Sequence, residues 1–105
     1  MRAPVAGALL ALIVAQPAPA QQRSWPEEKC ARYAEAWTEA QARFGRQGLS
    51  REFFDAQGAF IASGCRSRAS ICPASPQELD IANAVTIAAM NAGMASSFVP
   101  FRCPG

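Results

Sequence analysis

The sequence predicts an all-α fold, a small three-helix domain stapled by disulfides. A serine suited to capping a helix precedes each of three segments, at Ser24, Ser50 and Ser75. Apolar residues recur at helical spacing in the three segments, and no stretch alternates as a strand would. Four cysteines in a chain of 105 residues add a covalent framework.

The first 20 residues have the three parts of a cleavable secretory signal peptide. Arg2 provides the positive start, residues 5–15 form an apolar run, and residues 18–20 (APA) fit the small-residue rule before a cut. The apolar run is shorter than the roughly 20 residues that a membrane-spanning helix requires. We therefore expect cleavage of residues 1–20, no membrane span afterwards, and a single helical domain over 21–105.

The composition favours a periplasmic or secreted protein that does not bind nucleic acid. Without Arg2 the chain carries nine basic and eight acidic residues, too even a balance for holding a phosphate backbone. An even number of cysteines in a short exported chain is typical of structural disulfides.

The first two helices are predicted as an antiparallel hairpin. Ser24 and Glu27 have the capping-box pattern, so the first helix begins there and ends at the glycines that follow Phe44. Ser50 begins the second helix, which should end near Ser63. The aromatic residues at core spacing in this hairpin are Trp37, Phe44, Phe53, Phe54 and Phe60, whereas Trp25 is the aromatic expected at the surface.

The third helix has the clearest start signal. Ser75 is the predicted cap, Pro76 occupies the first helical position, and Glu78 should close a capping box. We expect this helix to run to about Ala95. The final segment contains two prolines and is predicted to lie back over the helices as an extended tail.

Helix geometry favours one pairing of the cysteines. Cys30 and Cys65 lie equally far from the first interhelical turn, so antiparallel helices bring them to the same end. Cys72 then pairs with Cys103, which the tail can reach. The main alternative joins Cys65 to Cys72 and Cys30 to Cys103. No C-x-x-C pair or histidine is present, so no metal site is expected.

The third helix is also the segment most informative about function, because no charge occurs between Asp80 and Arg102. One apolar stripe contains Ile81 and Val85. The other, the candidate partner face, consists of Ile87, Met90, Met94 and Phe98. Two interpretations remain open: a central core helix wrapped on all sides, or a helix that turns its second stripe toward a partner protein or a second copy.

Catalysis finds little support, and no cofactor is expected. The sequence has no histidine, no nucleophile motif and no phosphate-binding glycine loop, and its glutamates fall at surface or capping positions. The arginines cluster in two loop regions, which is typical of a solvated surface; an anionic partner is the alternative. These arginines are Arg43, Arg46 and Arg51 in the first region and Arg66 and Arg68 in the second.

The leading hypothesis is therefore a non-enzymatic exported binding module: an accessory subunit, inhibitor or immunity-type protein that acts through a protein–protein contact. The alternative is a periplasmic stress or holdase chaperone that exposes apolar helix surface. In outline, the chain resembles small exported chaperones and immunity proteins whose helices are joined by cysteines. That resemblance lies in architecture and includes no residue-level motif.

Overall fold

The computed structural model describes residues 23–105, so the predicted signal peptide lies outside the described residues. Three helices follow one another: α1 (Trp25–Phe44), α2 (Arg51–Ala62) and α3 (Pro76–Asn91). A short 3₁₀ turn, Ser96–Phe98, precedes the tail. The described part of the chain contains no strand beyond an isolated bridge, so the predicted all-α class is confirmed.

Each helix begins at its predicted serine. The Ser24 hydroxyl accepts a hydrogen bond from the Glu27 N–H, and the Glu27 carboxylate accepts one from the Ser24 N–H at 3.0 Å, which completes the capping box. Ser50 caps α2 through the Phe53 N–H at 3.0 Å. Ser75 caps α3 through the Glu78 N–H at 3.1 Å. Local sequence therefore determines all three starts.

The predicted role of the Glu78 side chain is wrong. Its carboxylate does not return to the Ser75 N–H; it accepts hydrogen bonds from the Ser50 N–H at 2.7 Å and the Ala74 N–H at 2.8 Å. The side chain is almost fully buried. Because the first residues of α2 and α3 lie side by side, a carboxylate there reaches amide donors outside its own helix, and these outcompete the local bond.

The C-terminus of α3 lies four residues before the predicted one. Gly93 adopts a φ of +96°. Its N–H donates to the Met90 carbonyl, and the Met94 N–H donates to the Ala89 carbonyl at 3.0 Å, which together form a Schellman motif. The chain turns here, so residues after Asn91 do not continue the helical face.

Both favoured disulfides are confirmed, and the alternative pairing is excluded. The Cys30–Cys65 bridge, with a Cα–Cα distance of 5.5 Å, holds the start of α1 against the end of α2, as an antiparallel hairpin requires. The Cys72–Cys103 bridge ties the second loop to the tail. Beside it, the Ile71 N–H donates to the Pro100 carbonyl at 2.8 Å.

The core lies between α1 and α3 and is completed by α2 and the tail. The Arg32 guanidinium, near the start of α1, donates to the Ala92 carbonyl at the end of α3, so these two helices run antiparallel. Tyr33 lies at the centre, edge-to-face with Phe60 and Phe98 at centroid distances of 5.2 and 6.1 Å. The remaining large buried apolar residues are Trp37, Phe53, Ile71, Ile81, Val85, Met94 and Val99.

Two aromatic residues lie at the surface of α1. Trp25 is 48% exposed, as predicted, with the Arg32 guanidinium over its ring. Phe44 is 46% exposed, so its assignment to the core is wrong. Phe44 is the last residue of α1, and because the chain turns away at Gly45, its ring remains at the edge of α3 instead of under it.

Candidate functional site

Helix α3 has one buried face and one exposed apolar face. Its buried residues are Glu78, Ile81, Ala82, Val85 and Ala89. On the other side, Leu79, Ile87 and Met90 are 51%, 60% and 51% exposed, and Asn83 is exposed between them. At 3.6 residues per turn these four positions fall within about 80° of one another. We call Leu79, Asn83, Ile87 and Met90 the α3 face.

The structure divides the four residues of the predicted partner stripe between two environments. Ile87 and Met90 lie together on the α3 face. Met94 is only 4% exposed in the core, and Phe98 is partly buried against Tyr33 and Phe60. The Schellman motif at Gly93 explains the division, since it turns the chain inward before Met94.

Leu79 is a member of this face that the predicted stripe lacks. It precedes Ile87 by eight residues, a helical repeat that the sequence contains. Helical spacing followed toward the N-terminus would therefore have found it. The α3 face thus extends along most of the helix instead of past its end.

A groove runs between the α3 face and the end of α1. It has a volume of about 490 Å³, and the side chains of Phe44 and Ile87 are its large apolar walls. The amides of Asn83 and Asn91 also line it, and Arg43 and Asp80 are its charged lining residues. The arrangement offers an apolar strip with hydrogen-bonding groups beside it.

Two buried polar groups outside the groove hold the helices in place. Burial raises the pKa of the Tyr33 hydroxyl, although its 2.7 Å hydrogen bond to Gln57 Oε1 opposes the shift. Burial also acts to raise the pKa of Glu78, but the hydrogen bonds from Ser50 and Ala74 outweigh it, so that pKa is lowered overall. The Gln57 Nε2 group is buried with no partner. Tyr33 thus links α1 to α2, and Glu78 links the start of α3 to the start of α2.

The predicted arginine clusters lie at opposite ends of the hairpin. At the first turn, Arg46 lies over the Phe54 ring at 4.4 Å, and Arg51 lies 3.7 Å from Asp55 on the surface. At the other end, Arg66 contributes to lowering the pKa of Glu27, although that shift comes mainly from hydrogen bonds to Ser24. Arg68 lines a separate cavity with Arg102.

Two other kinds of feature, a metal-ligand cluster and a membrane-spanning helix, are absent from residues 23–105. No group of three His, Cys, Asp or Glu side chains converges there as a metal-ligand set. No helix in that part of the chain is long and apolar enough to cross a membrane. All four cysteines are paired, and two intramolecular disulfides indicate an oxidising environment, extracellular or periplasmic.

Comparison with protein-family models, with curated proteins and with solved structures finds no match to this chain.

Proposed function

We propose that this chain is an exported, non-enzymatic binding module that contacts a partner protein through the α3 face and the adjoining groove. The observation that carries the proposal is the exposure of Leu79, Ile87 and Met90 on one side of a single helix. Single apolar residues are common on protein surfaces, but a set aligned along one helix beside a groove is typical of interaction sites. Phe44 extends the set across the groove.

The α3 face is held by structure that does not depend on a partner. Behind it, Ile81 and Val85 are fully buried, and the start of the helix is held by Ser75 and by the hydrogen bonds of the Glu78 side chain. A preorganised helix loses little conformational entropy on binding. The helix is thus well suited to present its outer residues to a partner.

The partner surface should be uncharged, largely apolar and able to form hydrogen bonds. Phe44 and the three apolar residues of the α3 face have half-exposed side chains. Burying each of these four side chains completely contributes on the order of 1 kcal/mol to the free energy of binding. Their sum only reaches the lower end of the roughly 4–15 kcal/mol that association costs. The partner must therefore also bond the amides of Asn83 and Asn91, which line the groove.

An accessory subunit, an inhibitor or an immunity-type protein would each act through such a contact. The disulfides support a role in the periplasm or outside the cell, where they persist.

A glutamate placed on the α3 face tests the proposal. The Ile87→Glu variant should fold with a free energy of unfolding within about 0.5 kcal/mol of the parent, because the side chain is exposed. It should bind the partner at least about tenfold more weakly, because burying the new charge is costly. Thr38→Glu, on an exposed position of α1, is the matched control.

The partner is first captured from the native periplasm or medium with the parent domain, then purified for affinity measurements with both variants. Equal affinities of Ile87→Glu and Thr38→Glu would refute the proposal. So would unfolding of Ile87→Glu, since that would show position 87 to be part of the core.

A further inference from the structure

A second concave site lies outside the α3 face, between the second loop and the C-terminal tail. This cavity has a volume of about 520 Å³. Phe98, which is partly buried, supplies its aromatic surface, because the other lining aromatic residue, Phe60, is only 2% exposed. Ser67, Ser70 and Ser97 are among its polar lining residues. The Cys65 side of the loop and the tail are both fixed by disulfides, so the cavity is formed by covalently held segments.

The charges around this cavity are all positive. Arg68 and Arg102 line it, and no acidic residue does. A third cation, the Lys29 ammonium, lies 4.9 Å from the centroid of the Phe98 ring. The described chain carries a net charge of only +1, because it has nine basic and eight acidic residues. Two lining arginines without a lining carboxylate are therefore a local concentration of charge and not a reflection of a basic protein.

The two arginine side chains of the cavity differ in their hydrogen bonding. Arg102 donates to the Ser97 carbonyl at 2.8 Å and the Ala69 carbonyl at 3.3 Å, which fixes its guanidinium between the loop and the 3₁₀ turn. Both acceptors are neutral, so its charge is not compensated. Within residues 23–105, Arg68 makes neither an ion pair nor a hydrogen bond through its side chain. One guanidinium is thus positioned and the other is free to close on a ligand.

We propose that this cavity binds a small organic carboxylate that carries an aromatic or aliphatic group. The guanidinium of Arg68, and the unused donors of Arg102, would form charge-assisted hydrogen bonds to the carboxylate. The exposed part of the Phe98 ring would receive the apolar group, and the serine hydroxyls would donate to any carboxylate oxygen that the arginines leave unpaired. Apolar walls with a few convergent polar groups are the usual composition of small-molecule sites.

Three probes distinguish the contribution of the carboxylate from that of the apolar group: 4-phenylbutyrate, the neutral 4-phenylbutanamide, and inorganic phosphate. Each is titrated into the isotope-labelled oxidised chain, and backbone amide shifts are followed by NMR. We expect 4-phenylbutyrate to produce saturating shifts at positions 67–70 and 96–102. The amide should bind at least about tenfold more weakly because it lacks the charge, and phosphate should do so because it lacks the apolar group.

The Arg68→Gln variant tests the role of the free guanidinium. Its side chain is exposed and makes no hydrogen bond or ion pair within residues 23–105, so the variant should keep the parent spectrum outside the loop. It should weaken 4-phenylbutyrate binding about tenfold. Arg51→Gln is the matched control: it removes the same charge at the opposite end of the hairpin, where the side chain is solvent-exposed, and should leave affinity within about twofold.

Several results would overturn the proposal. Equal affinity for 4-phenylbutyrate and 4-phenylbutanamide would show that the positive charges do not select the ligand. Equal affinity for 4-phenylbutyrate and phosphate would show that the aromatic surface of the cavity does not contribute to binding. Shifts confined to Leu79, Ile87 and Met90, or no shifts, would place binding elsewhere or nowhere. Equal losses in Arg68→Gln and Arg51→Gln would reduce the effect to net charge.

Discussion

The Glu78 carboxylate, in the first turn of α3, accepts a 2.7 Å hydrogen bond from the backbone N–H of Ser50, the residue that caps α2. A second bond, from the Ala74 N–H, satisfies its other oxygen. One buried carboxylate thus joins the starts of two helices that are far apart in sequence. The orientation of α3, and with it the α3 face, depends on this link.

Replacing Glu78 by Gln should destabilise the domain by about 1–3 kcal/mol at neutral pH. The substitution keeps the shape of the side chain but removes its charge. It also places the side-chain NH2 group of the glutamine against a backbone N–H, so that two donors face each other in a buried position. Urea unfolding followed by circular dichroism measures the loss. Glu39→Gln, at an exposed position of α1, should change the free energy of unfolding by less than about 0.5 kcal/mol. Equal effects of the two substitutions would show that the hydrogen bonds of the Glu78 carboxylate do not stabilise the fold.

The parent and the Glu78→Gln variant should also differ in how their free energies of unfolding depend on pH. The folded-state pKa of Glu78 is lowered from its ordinary value of 4.5, so its ionised form stabilises the fold above that pH. This contribution is lost as the pH falls through the folded pKa. The stability gap between the parent and Glu78→Gln should therefore be widest at neutral pH and shrink as the pH falls below 4.5, the ordinary pKa of the carboxyl group. A gap that stays constant from neutral to strongly acid pH would contradict the role of the charge.

Tyr33 and Gln57 form a buried pair whose energetics depend on both members. In Tyr33→Phe, Gln57 Oε1 loses its 2.7 Å hydrogen bond while its Nε2 is already unpartnered, so the loss should be about 1–3 kcal/mol. Adding Gln57→Met removes the stranded amide and should recover most of that loss. Chemical unfolding of the two single variants and the double variant provides the cycle. Additive losses would show that the pair is not coupled.

Two glycine substitutions should have opposite signs. Gly48 has a φ of +83°, and an added Cβ would lie 2.5 Å from Gln77 Cγ, so Gly48→Ala should destabilise the domain by about 1 kcal/mol or more. Gly58 lies inside α2 with open space around it, so Gly58→Ala should stabilise by about 0.5–1 kcal/mol. Thermal melting compares both with the parent. Shifts of the same sign would show that the contact between the first turn and α3 is not tight.

The two disulfides should contribute comparably to stability. Their sequence separations are 35 and 31 residues, and the chain-entropy model assigns about 3–4 kcal/mol to loops of that size. Replacing Cys72 and Cys103 by Ser should lower the unfolding free energy by that amount, and replacing Cys30 and Cys65 by Ser should do the same. A much smaller loss on replacing Cys72 and Cys103 would indicate that the backbone hydrogen bonds between Ile71 and the tail already hold the tail against the second loop.

Much of the fold could be predicted because the signals are local or geometric. Ser24, Ser50 and Ser75 each cap a helix through an amide three residues away, which depends on nothing distant. The pairing of Cys30 with Cys65 follows from two helices with equal rise. These features require no knowledge of how side chains pack.

The failed predictions about Glu78 and Phe44 depend on tertiary contacts, whereas the one about the end of α3 overlooked a local signal. The Glu78 carboxylate had a local donor in the expected box, and the pattern contained no sign that the Ser50 N–H would be closer. Phe44 has core spacing but lies where α1 ends. Gly93 is visible in the sequence as a residue suited to ending a helix, and giving it that role would have removed Met94 and Phe98 from the candidate face. The cavity around Arg68 and Arg102 joins residues 34 positions apart and becomes visible only after folding.

We propose that the α3 face contacts a partner protein in the native setting of this chain. The most direct measurement is photo-crosslinking in cells that naturally produce the chain, with a photoreactive residue at position 87, at 90, or at the control position 38 on α1. We predict one distinct crosslinked protein from positions 87 and 90 that is absent from position 38. The same crosslinks from all three positions, or none from 87 and 90 in a folded chain, would contradict the claim.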